Sequence, residues 1–131
     1  MSIFDAIGIA GTGVTVNRKW MDAVSDNLAN INTVKRTDED AFAARYVVAT
    51  EAGDGKGTQV AGIVTGSTEG RTVYEPDHPM ADADGYVKYP DIDMSTQMTS
   101  LIMAQRAYQS NLSVIDRAKD AYQAALQLGK A

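Results

Sequence analysis

Apolar residues recur over positions 1–33 at alternating steps of four and three: Ile3, Ile7, Ala10, Val14, then Asn17, Met21, Val24, Leu28 and Ile31. This is a heptad seam with one polar position, Asn17, and it predicts a helix over residues 1–33. Residues 93–131 repeat the pattern through Met94, Met98, Leu101, Gln105, Tyr108, Leu112, Ile115, Lys119, Tyr122 and Leu126, with polar interruptions at Gln105 and Lys119. Asp93 is the expected N-cap and Gly129 the expected residue just past the C-terminal end. At 1.5 Å per residue the second helix is roughly 50 Å long. An ordinary helix face drifts against a 3.5-residue period, so two seams that hold it for four or more heptads predict side-by-side pairing. Ile7, Val14, Met21, Val24 and Leu28 are then expected to face Leu101, Tyr108, Leu112, Ile115 and Tyr122.

Between the seams the pattern changes. Glycine becomes frequent, and short β-branched or aromatic runs appear at RYVVAT (45–50), TQVAGIVT (58–65), RTVYE (71–75) and YVKY (86–89). These predict a small antiparallel β unit of hairpins. Thr37 with Asp40 predicts a capped helical turn ahead of it. The fold class expected is α+β: terminal helices paired as an antiparallel coiled-coil-like domain (1–33 and 93–131), with a small β-rich domain (34–92) inserted between them.

Charge follows the same division. The net charge of −5 over 131 residues resides in the middle segment, at −5, against −1 for residues 1–33 and +1 for residues 93–131. An acidic balance argues against non-specific binding to nucleic acid or anionic lipid. With no cysteine, disulfides, thiolate catalysis and cysteine–zinc sites are excluded. No apolar run approaches the roughly 18–20 residues that span a bilayer. The start, MSIFDAIGIAG, has no basic n-region and carries Asp5, so a cleaved signal peptide is not expected.

The stretch EPDHPMADADGYVKYPD (75–91) is the strongest candidate for chemistry, since it gathers aspartates, the only histidine and all three prolines. As an EF-hand it would put Met80 at position one and Asp91 at position twelve, with Pro76 and Pro79 forbidding the preceding helix. A lone His78 among carboxylates gives no recurring metal-ligand spacing. Solvated aspartates such as Asp82 and Asp84 offer no general-acid environment. The structural reading is a connector: Asp84–Gly85 turns a hairpin, Tyr86 to Tyr89 alternate as a strand, and Pro90 hands the chain to the second helix. The glycines of GIAGTG (8–13) fit neither phosphate-loop spacing. No nucleophile–base pair is supported, and no cofactor is expected.

SDNLANINT (25–33) resembles the ANNLANxNT signature of bacterial flagellar axial proteins. VYEPDHPMADADGYVKYPDIDM (73–94) is similar to the VYDPxHPxADxDGYVxYPNV block of rod members of that family, IMAQRAYQSNLSVI (102–115) to its AxRAYxAN helix, and IGIAGTGV (7–14) to its opening helix. The likeness spans essentially the whole chain. Departures fall at Ser25–Asp26, at Asp91–Ile92 and at Gln97, where a glutamate is common.

The resemblance implies a non-enzymatic structural subunit of the basal-body rod, exported uncut through the flagellar export apparatus and assembled through its terminal helices. Implied partners are further copies of itself, other rod proteins (FlgB, FlgF, FlgG) and the rod-base adaptor FliE; neither nucleic acid nor a small-molecule substrate is implied. Asn27, Asn30, Asn32 and Thr33 are expected to satisfy the helix end and bridge to a neighbour, and Arg106, Tyr108 and Asn111 to act along the shaft. Residues alone leave a second class open: a coiled-coil binding module whose acidic β unit captures calcium or a basic partner.

Overall fold

The computed structural model describes residues 1–130. The order is α1 (Ile3–Ala29), β1 (Arg45–Glu51), β2 (Thr58–Thr65), β3 (Arg71–Tyr74), β4 (Tyr86–Tyr89) and α2 (Met94–Gly129). The fold is α+β, with two long helices packed against each other and two small antiparallel hairpin sheets between them in sequence.

Side chains set the helix ends. Ser2 caps α1 in a reciprocal box: its Oγ accepts from the Asp5 N–H at 3.2 Å, and the Asp5 carboxylate accepts from the Ser2 N–H at 2.7 Å. The helix stops at Ala29, short of the expected residue 33, because Asn30 takes up the last turn. Its Nδ2 donates to the Asp26 carbonyl at 2.8 Å, and its own carbonyl accepts from the Thr33 N–H. Asp93 caps α2 as expected, accepting from the Thr96 N–H at 2.8 Å and the Thr96 hydroxyl at 2.6 Å. Gly129 is not the expected left-handed residue beyond the end. It is the last helical residue, and Lys130 caps in the right-handed region. Nothing approaches Gly129 that would force the chain to reverse there.

The helices run antiparallel, since Phe4 meets Tyr122, Gly13 meets Asn111 and Asn27 meets Gln97. Every position of the α1 seam is buried or half-buried. The α2 seam is rotated from its expected face. Leu101, Tyr108 and Ile115 are half-buried, but Met94, Met98, Gln105, Leu112 and Lys119 are exposed. Gln97, Ala104, Ala107, Asn111 and Ala118 take the covered positions instead. At Gly13 the missing side chain makes room for the Asn111 carboxamide, from which a Cβ there would sit only 2.8 Å away, so this polar residue of α2 faces α1.

β1 pairs with β2 from Arg45↔Thr65 to Glu51↔Thr58, with a bulge at Val48/Ala49. β3 pairs with β4 from Arg71↔Tyr89 to Tyr74↔Tyr86, and Lys35 adds a bridge to Lys88 on the far edge of β4. The expected helical turn capped by Thr37 and Asp40 is absent. A single hydrogen-bonded turn stands there, with the Glu39 N–H on the Arg36 carbonyl and the Arg36 N–H on the Glu39 carboxylate, and the Thr37 hydroxyl is drawn away to Asp82 at 2.8 Å. Most buried residues cluster at one end of the molecule: Val24, Asn27 and Ile31 of α1 and its exit, Ala41 and Ala44, Val87 and Pro90, and Gln97 and Ala104 of α2. Gly70 locks this core. Its φ is +67°, and a Cβ there would overlap the Tyr89 carbonyl and the Ala41 methyl. Gly70→Ala is expected to destabilise the fold by about 2–4 kcal/mol in urea unfolding, from strain plus overlap with backbone.

Candidate functional site

Three groups of sequence-selected residues fall in three places. The first is a buried knot. Asn27 is 0% exposed, and its carboxamide is fully used. Oδ1 accepts from the Arg45 N–H at 2.7 Å, while Nδ2 donates to the Arg45 carbonyl at 2.9 Å and to Gln97 Oε1 at 3.0 Å. One side chain thereby holds the end of α1, the start of β1 and the first turns of α2. The expectation that Asn27 bridges to a neighbour is corrected: every hydrogen-bonding group it has is spent inside the chain. Asn30 and Thr33 also bond locally, with the Thr33 hydroxyl on Asn30 Oδ1 at 3.2 Å. Asn32 is exposed, at an open cleft of about 470 Å³ that Arg71, Asp91 and Ile92 also line. The departures from the family pattern gather here. Asp26 pairs with Arg45 at 3.1 Å beside the knot, Gln97 lies in it, and Asp91–Ile92 line the cleft.

The second group is the shaft. Ile7, Val14, Met21 and Leu28 are half-buried and Val24 is buried, all on α1's covered face. On α2, Leu101, Tyr108, Asn111 and Ile115 are half-buried, whereas Arg106 is exposed. Leu112 does not point into the subunit as expected; it is 37% exposed on the flank. Tyr122 keeps only an edge-on contact with the Phe4 ring, centroids 5.4 Å apart. Beyond Asn111 only Ile115 and Ala118 of α2 are even half-buried, and Val114, Leu126 and Leu128 are exposed. The shaft therefore has a closed end at the knot and an open end displaying unpaired apolar side chains.

The third group is the connector. Asp84–Gly85 is not a two-residue hairpin turn, because β3 and β4 are joined by the whole segment 75–85. Asp82 organises it. Oδ1 accepts from the Asp84 N–H at 3.0 Å and the Tyr86 N–H at 2.9 Å, and Oδ2 accepts from the Thr37 hydroxyl. These bonds, Tyr86's first and Thr37's next, hold the Asp82 carboxyl below the usual carboxylate range. Gly85, at φ +84°, is buried against the Tyr74 ring and Pro76. Tyr74 and Tyr86 meet edge to face at 5.3 Å. His78 accepts the Met80 N–H on Nδ1 at 3.1 Å, and its backbone N–H donates to the Glu75 carbonyl. Pro76 and Pro79 are exposed, and Pro90 is buried ahead of α2. Among the described residues no three His, Asp or Glu side chains group as a ligand set.

Sequence reasoning missed Arg45 and Gln97 as partners of Asn27, and no local pattern marks them. It also missed a second apolar stripe on α1: Ile9, Val16, Trp20 and Ala23, with Thr12 in line. Its steps of three and four are legible in the sequence beside the stronger seam.

Residues 83–128 match the family described as flagellar basal body rod FlgEFG protein C-terminal. The chain is 33% identical over 134 residues to the flagellar basal-body rod protein FlgC of Salmonella typhimurium, covering 99% of this chain and 100% of that one. It is 28% identical over 149 residues to the protein of the same name from Borreliella burgdorferi, covering 98% of each. Against that of Bacillus subtilis it is 27% identical over 150 residues, covering 99% and 100%.

Asn27→Leu leaves the Arg45 backbone groups and Gln97 stranded, and is expected to cost about 3 kcal/mol in denaturant unfolding, against under about 1 kcal/mol for exposed Asn30-type contacts. For pH, the depressed carboxyls of Asp82, Asp93 and Asp5 contribute stability that is complete at neutral pH. It is lost as pH falls below about 4 and through their depressed folded values. Amide signals of Asp84 and Tyr86 should titrate in that acid range, and Asp82→Asn should abolish their pH dependence.

Proposed function

The chain belongs to the FlgC family of flagellar basal-body rod proteins and is a structural subunit of that rod; from that premise we propose that the open end of its helix pair is the surface by which subunits join. The observation that supports this reading is the set of exposed apolar side chains on the distal shaft: Leu112, Val114, Leu126 and Leu128 at 81%, with Phe4 at 62% exposed against the Tyr122 ring. Single exposed apolar residues are ordinary, but on distal α2 Leu112 and Leu126 share one face and Val114 and Leu128 the opposite one, so the helix end offers apolar surface on two sides that a monomer leaves to neighbours. Head-to-tail contacts that do not close into a ring produce a helical tube. In this account residues 1–33 and 93–131 form the axial core that lines the export channel, and 34–92 is the middle unit. The connector 75–90, pinned by Asp82 and Thr37, sets the angle between them.

The subunit's work is mechanical and not enzymatic: many shallow contacts along the shaft carry torque from motor to hook. Its neighbours are further copies of itself, the other rod proteins and the rod-base adaptor, reached after export without signal cleavage. No described helix is long and apolar enough to cross a membrane. Leu112→Asp places a charge on the half-exposed flank of α2, where the isolated fold tolerates it. The expected result is an unchanged circular dichroism spectrum with loss of rods and of motility. Normal motility in that strain would overturn the assembly surface.

A further inference from the structure

The connector between β3 and β4 is stiff and displays more than its own packing uses. Pro76 and Pro79 restrict its backbone. The Ala81 N–H donates to the His78 carbonyl and the Gly85 N–H to the Asp82 carbonyl, while the Asp82 carboxylate holds the Asp84 and Tyr86 amides. Tyr74 and Tyr86 pair across the strands and meet edge to face, yet both rings are exposed. Met80 is exposed in the loop they bracket. Asp77 and Asp84 are exposed on the same loop, and the ion pairs among the described residues, Arg36–Asp38 and Arg45–Asp26, include neither. Tyrosine and methionine enrich the centres of protein interfaces, and a loop already fixed loses little entropy on docking.

α2 carries a matching patch of opposite charge. From Met94 to Ile115 its only charged residue is Arg106, which is exposed and likewise outside both ion pairs. Ile102 and Met103, four and three residues before it, are exposed at 46% and 56%, so one cation stands beside one apolar patch. Arg106 lies two residues from the fully buried Ala104, about 200° around the helix, and so on the side turned away from α1. Neither β3 nor β4 packs on α2, so a chain's own connector does not cover this patch. A guanidinium suits a carboxylate and an aromatic ring at once.

We propose that the connector of one copy, through Tyr74, Met80 and Tyr86 with Asp77 and Asp84, docks on the Ile102–Met103–Arg106 face of α2 in a second copy. The two patches differ and are complementary in charge, so the contact is head-to-tail, as a tube that does not close into a ring requires. The inference rests on the rod-subunit reading. The contact belongs to the assembled rod and requires no helix order in the free chain.

Arg106→Glu is expected to abolish rods and motility, and so is the pair Asp77→Arg, Asp84→Arg. All three substitutions in one chain swap the charges and should restore both. The chain has no cysteine, which permits a direct readout. Rods built from coexpressed Met80→Cys and Met103→Cys copies, treated with a short bis-maleimide, should yield a crosslinked dimer that neither copy gives alone. Normal motility in Arg106→Glu, a triple variant as defective as Arg106→Glu, or mixed rods without the crosslink overturns the docking. Leu112 lies on another flank of α2, so mixed rods without the crosslink, in a system where Leu112→Asp still blocks assembly, remove this contact and leave the distal surface standing.

Discussion

A carboxamide buried without partners destabilises a fold, and one buried with all its partners fixes the geometry of everything it touches. Asn27 is in the second condition. It holds both backbone groups of Arg45 and the side chain of Gln97, so the end of α1, the start of β1 and the beginning of α2 share one point of registration. Among the described residues no buried side-chain polar atom lacks a partner. Sliding α1 by one residue would break all three hydrogen bonds at once, and sliding α2 would break the one to Gln97, whereas the apolar contacts farther along the shaft would simply re-form with new neighbours. The register of the helix pair is therefore set at one end by polar bonds and propagated by packing.

That asymmetry explains the distribution of burial. Around the knot the chain builds a small core from Val24, Ile31, Ala41, Ala44, Val87 and Ala104, closed by Gly70 and Pro90. Away from it the helices have only each other, and α2 presents Leu126 and Leu128 to solvent. A closed, registered base and an open, apolar shaft are the features on which the proposed assembly through the distal helices rests. The acidic middle unit supplies Ala41, Ala44, Val87 and Pro90 to that core and is braced within itself by Thr37–Asp82 and Lys35–Lys88.

Much of this was legible along the chain. The α1 seam and the four strands are where apolar periodicity and β-branched runs put them, because each depends on residues close in sequence. Asp93 was readable as a cap for the same reason. The errors have physical causes. The covered face of α2 differs from the seam count because Ala104, Asn111 and Ala118 lie toward α1, with the Asn111 carboxamide filling the space that Gly13 leaves. The hairpin expected at Asp84–Gly85 proved to be a loop organised by Asp82, whose partner Thr37 lies far away in sequence. SDNLANINT marks Asn27 as a bridge to a neighbour, since nothing local there says that Arg45 and Gln97 surround it. Long-range polar pairing was the part that local pattern could not carry.

The central claim is that order in this subunit is anchored at the knot and fades along the shaft. Residue-resolved amide hydrogen exchange on the dilute, unassembled chain measures it directly. The account predicts slow exchange in the last turns of α1 and the first turns of α2, around Asn27 and Gln97, with rates rising steadily toward Phe4 and past Asn111 to Leu128. Uniform protection along both helices, or protection greatest at the distal end, would contradict it.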